Sequence, residues 1–394
     1  MYKNKVLIVL LALLLSLNFS VSAQENFENE KDEEKDNSYQ FEVITEVETT
    51  PVKSQDNTGT CWVFATTSFL ESEILREKGK EYDLSEMYIS REAYPDKAMN
   101  YVRLHGNANY AQGGQAHDLI NVIRKSGIVP EEVYDGKKIG EKKHNHSEMS
   151  IVLKGMLDGV IKNRGKKLTP KWFEAHNSVL DIYLGEAPAT FDYEGTSYTP
   201  QSFLEELGIN PDDYVEITSF THHPFYENFS LEIPDNWSFD DYYNLPLDEM
   251  IEVFVYSLKN GYSIVWDGDV SDKQFSHKNG VAIVPLKDLA EMSDEEKEIN
   301  LKEPEPQKEI SQEMRQQAFD NYSSTDDHLM HITGIVEDQN GEKYYITKNS
   351  WGEESNDFGG YLNMSEPYVR LRTTAILVNK KGIPKKIAKK LGIK

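Results

Sequence analysis

The sequence predicts an α+β fold, with a helical part and a β-rich part, and three observations predict it. A run of apolar residues at helical spacing, from Trp62 through Phe69 and Leu70 to Ile74 and Leu75, follows the only cysteine of the chain, Cys61. Near the C-terminus Asn340-Gly341 separates two β-rich runs, 331–336 and 343–348, as in a hairpin. Between these ends lie several helical runs with their own start and stop signals. The 394 residues, 38% of them hydrophobic, suffice for a substantial core.

The N-terminus has the parts of a secretory signal. Lys3 and Lys5 precede an apolar run from Val6 to Leu17, and Val21-Ser22-Ala23 supplies the small residues of a cleavage site after Ala23. That run falls short of the roughly 20 residues needed to span a bilayer, so export is expected rather than stable membrane insertion. Residues 24–40 are acidic, nearly without apolar side chains, and are expected to form a disordered linker. The folded domain is expected over 41–379, followed by a basic tail over 380–394. An exported chain with one cysteine has no internal disulfide, and a free thiol kept in an oxidising compartment calls for a chemical use. The formal charge of −25 repels phosphates and argues against nucleic acid as a partner.

In chain order, Ser85 caps a helix that begins near Glu86. Gly113-Gly114 opens another that runs toward Lys125. The glycine pair is either a tight turn or a place where a substrate backbone comes close. Two helices are expected around 149–161 and 171–184, the second started by Thr169-Pro170. Further helices follow over 200–207 and 247–259, the latter ended by Asn260-Gly261. Tyr262 to Trp266 reads as a buried strand, residues 286–320 as solvated helix and loop, and 374–379 as a strand. His144, His146, His222 and His223 have no cysteine and no carboxylate at ligand spacing beside them, so no metal is expected.

Cys61 carries the chemistry. The turn Thr58-Gly59-Thr60 sets it in the first turn of a helix, where unpaired N–H groups and the helix dipole favour a thiolate below the free value of roughly 8.5. A thiolate attacking a carbonyl needs a base that later acts as acid, and a histidine suits both steps. His331 is preferred because the apolar strand follows it directly; His328, three residues earlier, is its rival. Asn349 can orient the imidazole, and the Gln55 amide with the Cys61 N–H can hold the oxyanion.

Together Gln55, Gly59-Thr60-Cys61-Trp62-Val63-Phe64, Gly113-Gly114-Gln115, Ala187-Pro188-Ala189-Thr190-Phe191, Trp266-Asp267-Gly268-Asp269-Val270 and Lys348-Asn349-Ser350-Trp351-Gly352 resemble the papain-like cysteine peptidases. Within these the chain is most similar to the bleomycin hydrolase and bacterial aminopeptidase C group. The resemblance covers roughly residues 45 to 380. It implies a papain-like fold, with a helical and a β-rich subdomain facing each other across a cleft and a large helical insertion at about 130–325. By the same resemblance Cys61 is the nucleophile, His331 the base and acid, Asn349 the orienting amide and Gln55 the oxyanion donor. Trp351 would shield the Asn349 hydrogen bond, and Gly113 and Gly114 would offer backbone to the substrate. A homohexamer and a cofactor-free mechanism are implied as well. Thr60 departs from the arginine frequent in close relatives.

The group places its own C-terminus in the cleft, where the terminal carboxylate receives the substrate amine. Here the tail from Asn379 carries seven lysines and no acid. It is read as a solvated basic end, as a segment docked on the acidic body or in the cleft, or as a contact to an anionic membrane surface. The function expected is that of an exported, metal-free cysteine peptidase acting on peptides or proteins as an aminopeptidase. The alternatives are an endopeptidase and an inactive peptide-binding relative.

Overall fold

A computed structural model describes residues 37–393 apart from 139, 141, 164 and 166. The signal segment 1–23 and most of the linker lie outside the described residues. Packing begins at Tyr39, inside the stretch expected to be linker: its ring stacks on Phe41 at 5.6 Å and its hydroxyl donates to the Asn300 carbonyl at 3.0 Å.

The helical half is built on α1 (Cys61–Lys78), buried on every side from Cys61 to Leu75 because apolar and small residues surround its axis. It ends at Gly79, whose φ of 64° costs a glycine nothing and lets its N–H return to the Leu75 carbonyl. Helix α2 (Glu86–Arg103) begins at Ser85, whose hydroxyl accepts from the Tyr88 N–H at 3.0 Å. In α3 (Ala116–Ser126) Gln115 and Asp118 cap each other reciprocally, with Gln115 N–H to Asp118 Oδ2 at 2.8 Å. Helices α4 (Ser147–Ile161), α5 (Lys171–Leu184) and α6 (Pro200–Leu207) complete this half through Leu153, Leu157, Leu180 and Phe203. Pro170 rather than Thr169 is the N-cap of α5, so the helix starts one residue later than the Thr-Pro signal implies.

The β-rich half begins with β1 (Phe41–Glu46), and a small hairpin, β2 (Phe191–Tyr193) and β3 (Thr196–Tyr198), lies apart from the main sheet. Then follow β4 (Tyr214–Thr218), β5 (Asn228–Ser230), β6 (Asp241–Asn244), β7 (Ile264–Gly268), β8 (Phe275–Ser276), β9 (Val281–Ala282), β10 (His328–Asp338), β11 (Lys343–Lys348), β12 (Tyr361–Ser365) and β13 (Thr373–Asn379). The main sheet runs β5-β6-β4-β13-β7-β10-β11-β12-β9-β8, with β1 also paired to β10. The stretch expected as a helical insertion is therefore mixed. It supplies β4, β6 and β7 to the main sheet, where the apolar run of β7 is buried on both faces.

The two faces of this sheet bear different cores. Val265, Leu329 and Leu377 pack with α1, whereas Trp266, Met330 and Ile376 pack with α7 (Leu247–Lys259). Helices α8 (Asp294–Asn300), α9 (Gln312–Asp320) and α10 (Glu366–Arg372) lie between later strands. The basic tail forms α11 (Lys385–Lys390), and Ile387 and Leu391 enter the α7 core. Lys386 and Lys390 pair with Glu252 and Glu249 of α7 at 2.9 and 2.6 Å. Of the readings of the tail, docking on the body is the one found, on the sheet face opposite α1 and not in the cleft. No helix among the described residues is long and apolar enough to cross a membrane.

Candidate active site

Cys61 is the first residue of α1, and no side chain caps the amides around it. Thr60 Oγ1 is instead bonded to Thr58 Oγ1 at 2.6 Å. A helix leaves its first-turn amides without intrahelical acceptors, so the Cys61 N–H is available to a negative oxygen. The loop before α3 fixes this turn: Gly59 N–H donates to Gln112 Oε1 at 2.7 Å and Trp62 Nε1 to the Gln112 carbonyl at 3.0 Å.

The thiol is 8% exposed. Its state differs from the expected thiolate. Burial pushes the Cys61 thiol up to about 12, the carboxylates of Asp235, Asp267 and Asp326 add to the rise, and the hydrogen bond from the Leu329 N–H acts against them. The helix N-terminus is outweighed because the sulfur is dry and faces acids.

Gln55 is held on both sides. Ser350 Oγ donates to its Oε1 at 2.6 Å, and its Nε2 donates to the Thr58 carbonyl at 2.7 Å. One Nε2 proton stays uncommitted among the described residues.

The two histidines part company. His328 Nε2 donates to Asn349 Oδ1 at 2.8 Å, and its ring lies beneath Trp351 at 5.1 Å. His331, the residue preferred from the sequence, is 0% exposed, and its Nδ1 faces Ser68 Oγ at 3.0 Å. The register explains the correction. His331 pairs with Lys348, so Asn349 falls opposite Met330, and His328 shares that face while His331 points the other way. An odd spacing on one strand allows only one of the two to meet Asn349. Burial, with the Lys348 ammonium beside it, holds His331 well below the usual histidine range; burial likewise lowers His328 to about 4.

Trp351 is half-exposed and leans on His277 at 4.8 Å, and His277 Nδ1 lies 3.4 Å from Asn349 Nδ2. Sequence reasoning missed His277, which carries no motif of its own. Gly113 and Gly114 line the cleft wall for reasons of space. A Cβ on Gly113 would fall 1.9 Å from Asp235 Oδ2, and one on Gly114 would fall 3.1 Å from the Trp62 ring. The Gly113 carbonyl is already taken by Lys97 Nζ.

Elsewhere Glu232 reaches both His222 and His223, at 3.1 and 2.8 Å, a carboxylate that local spacing did not reveal. The rings rest on Phe319 and Phe229. His144 and His146 lie apart from them, their ring centres 6.3 Å from each other, and burial lowers His146 to about 4.

A family model described as "Peptidase C1-like family" matches residues 15–393. The chain is 25% identical over 382 residues to Aminopeptidase G of Lactobacillus delbrueckii subsp. lactis, covering 86% of this chain and 83% of that protein. It is 23% identical to the mitochondrial Cysteine proteinase 1 of Saccharomyces cerevisiae, over 89% and 79% of the two chains. The crystal structure of PepW from Lactobacillus rhamnosis superposes with a TM-score of 0.69 at 20% identity, covering 89% of this chain and 84% of that one. The fold is thus that of the papain-like peptidases.

Proposed function

Because the chain belongs to the Peptidase C1-like family, we propose that it is a cysteine aminopeptidase working through Cys61, His328, Asn349 and Gln55. The observation that carries the assignment of roles is the His328–Asn349 hydrogen bond of 2.8 Å under Trp351, one residue from the Leu329 N–H that meets the thiol. The relatives named as aminopeptidases support the exopeptidase mode.

Cys61 and His328 rest as neutral thiol and neutral imidazole, since the first is pushed up to about 12 and the second down to about 4. The Asn349 carbonyl holds the His328 proton on Nε2, leaving the Nδ1 lone pair as base. As Sγ bonds to the substrate carbonyl carbon, the thiol proton passes to Nδ1 and the carbonyl electrons move to oxygen, where the Cys61 N–H and Gln55 Nε2 receive them. The imidazolium then protonates the leaving amine as the C–N bond breaks. Water, deprotonated by the same Nδ1, releases the acyl group and restores the thiol. Trp351 keeps solvent from the His328–Asn349 bond. Cys61→Ala and His328→Ala are expected to abolish turnover of aminoacyl arylamides; retained turnover in either overturns the assignment.

One observation favours a second reading. With α11 docked on α7, residues 380–393 leave the cleft unblocked for an internal peptide bond. Turnover of N-acetylated peptides equal to that of free ones would establish the endopeptidase. Export, supported by the N-terminal basic and apolar run, is checked by the mass of the mature N-terminus. The homohexamer rests on resemblance alone and is checked by light scattering.

A further inference from the structure

The chain turns at Thr221, His222 and His223 just after β4, and Glu232 follows β5, the edge strand of the main sheet. Glu232 divides its two oxygens between the rings: His222 Nε2 lies 3.1 Å from Oε2, and His223 Nε2 lies 2.8 Å from Oε1. The three ligand atoms lie within 4.8 Å of one another, the one such group among the described residues. The side chains are held from beneath. Leu231 and Ile233 are buried on either side of Glu232 and turn it outward. The ring of Phe319 in α9 stacks on His222 at 5.6 Å and 9°, and Phe229 stacks on His223 at 4.1 Å. Rings already braced in this way lose little freedom when they bind. The Glu232 side chain is 59% exposed, so an ion can reach it from solvent.

The donor set selects the ion. Two imidazole nitrogens and one carboxylate oxygen suit zinc and its neighbours among the divalent transition metals, and give calcium or magnesium too few oxygens. A tetrahedral zinc holds its ligand atoms roughly 3.3 Å apart. Both nitrogen–oxygen pairs are slightly closer than that, so a small parting of the side chains admits the ion, with water as its fourth ligand. One hydrogen bond opposes ligation. Gln316 Oε1 accepts the Thr221 N–H at 2.6 Å, which turns its Nε2 toward His222 Nδ1 at 3.0 Å and keeps the ring proton on Nε2, facing Glu232. Binding moves that proton to Nδ1, and the Gln316 amide must turn to accept it.

We propose that His222, His223 and Glu232 form a zinc-binding clip that fastens the turn after β4 to the chain after β5 and, through the Phe319 stack, to α9. It uses none of the residues assigned to peptide cleavage and is independent of that assignment.

The test titrates zinc chloride into the Cys61→Ala chain without an added histidine tag, so that neither the nucleophile nor a tag captures the metal. Excess magnesium is present to occupy the acidic surface. One zinc per chain should bind and raise the melting temperature, because only the folded state assembles the three ligands. Glu232→Gln and His223→Gln should each erase the thermal shift and weaken binding by more than the roughly 10- to 100-fold that loss of an outer partner costs. Melting without zinc, close to the parent's in these surface variants, separates a lost ligand from a damaged fold. Gln316→Glu should tighten binding by about 10-fold, since a carboxylate accepts the Nδ1 proton without turning. No binding to the parent chain overturns the proposal. Binding that survives in both ligand variants marks an adventitious ion only and overturns it as well, and binding no tighter in Gln316→Glu contradicts ligation through His222 Nε2.

Discussion

Ser68 sits 3.0 Å from His331 Nδ1 and takes a hydrogen bond from Lys348 Nζ at 2.7 Å, a buried relay that ties α1 to β10 and β11. The ammonium donates to the hydroxyl, the hydroxyl donates to the imidazole, and the imidazole must stay neutral to accept. His331→Asn should lower stability by about 1–3 kcal/mol through the broken relay, while kcat/KM stays within a few-fold of wild type. Urea unfolding alongside steady-state kinetics checks this; a loss of activity as deep as that of His328→Ala would restore His331 as the base.

The acid limb of kcat/KM should follow His328. Burial lowers its imidazole to about 4, and it serves as a base only once that proton is lost. Activity should therefore rise as pH rises through about 4. An acid limb at the free histidine value of roughly 6.5 would contradict the buried, neutral imidazole.

Asp267 should cost stability at neutral pH. Burial first and Asp326 next hold its carboxyl well above the usual range. A carboxyl raised in the folded state contributes most below its unfolded value of about 4, and that contribution is lost as pH rises. Asp267→Asn should accordingly be more stable than wild type by about 1–3 kcal/mol near pH 7 and nearly equal to it near pH 4. Thermal melts across this range decide it, and an advantage independent of pH would contradict a carboxyl raised by burial.

Gly113→Ala should act through Asp235. The new Cβ would fall 1.9 Å from Oδ2 and 2.7 Å from Cγ, forcing the carboxylate away. Stability should drop, and the drop should shrink in the Asp235→Ala background, where the clash is gone. Equal losses in both backgrounds would show that the glycine serves the backbone instead.

The sequence revealed what local chemistry determines. Helices over 200–207 and 247–259 begin and end where their residues place them, since periodicity and breakers act within a few positions. Gln55, Cys61 and Asn349 were legible because their neighbours are distinctive. The choice of His328 over His331 was not, although β-strand parity decides it, because parity needs the register with β11 and hence the position of Asn349. The acids that raise the thiol were hidden for a related reason: Asp235, Asp267 and Asp326 come from segments far apart in the chain. The thiol misled most, since helix position is readable locally whereas burial and acidic neighbours are not.

The docking of α11 makes the carboxyl end a structural seam. Ile383, Ile387 and Leu391 are buried against α7, and Lys386 and Lys390 fasten the edges. Trimming the chain at 380 would strip an apolar cover from the back of the sheet and favour clumping of the recovered protein, even though nothing near the nucleophile had been touched. Fusions meant to report on this protein are therefore better joined beyond an intact tail than substituted for it.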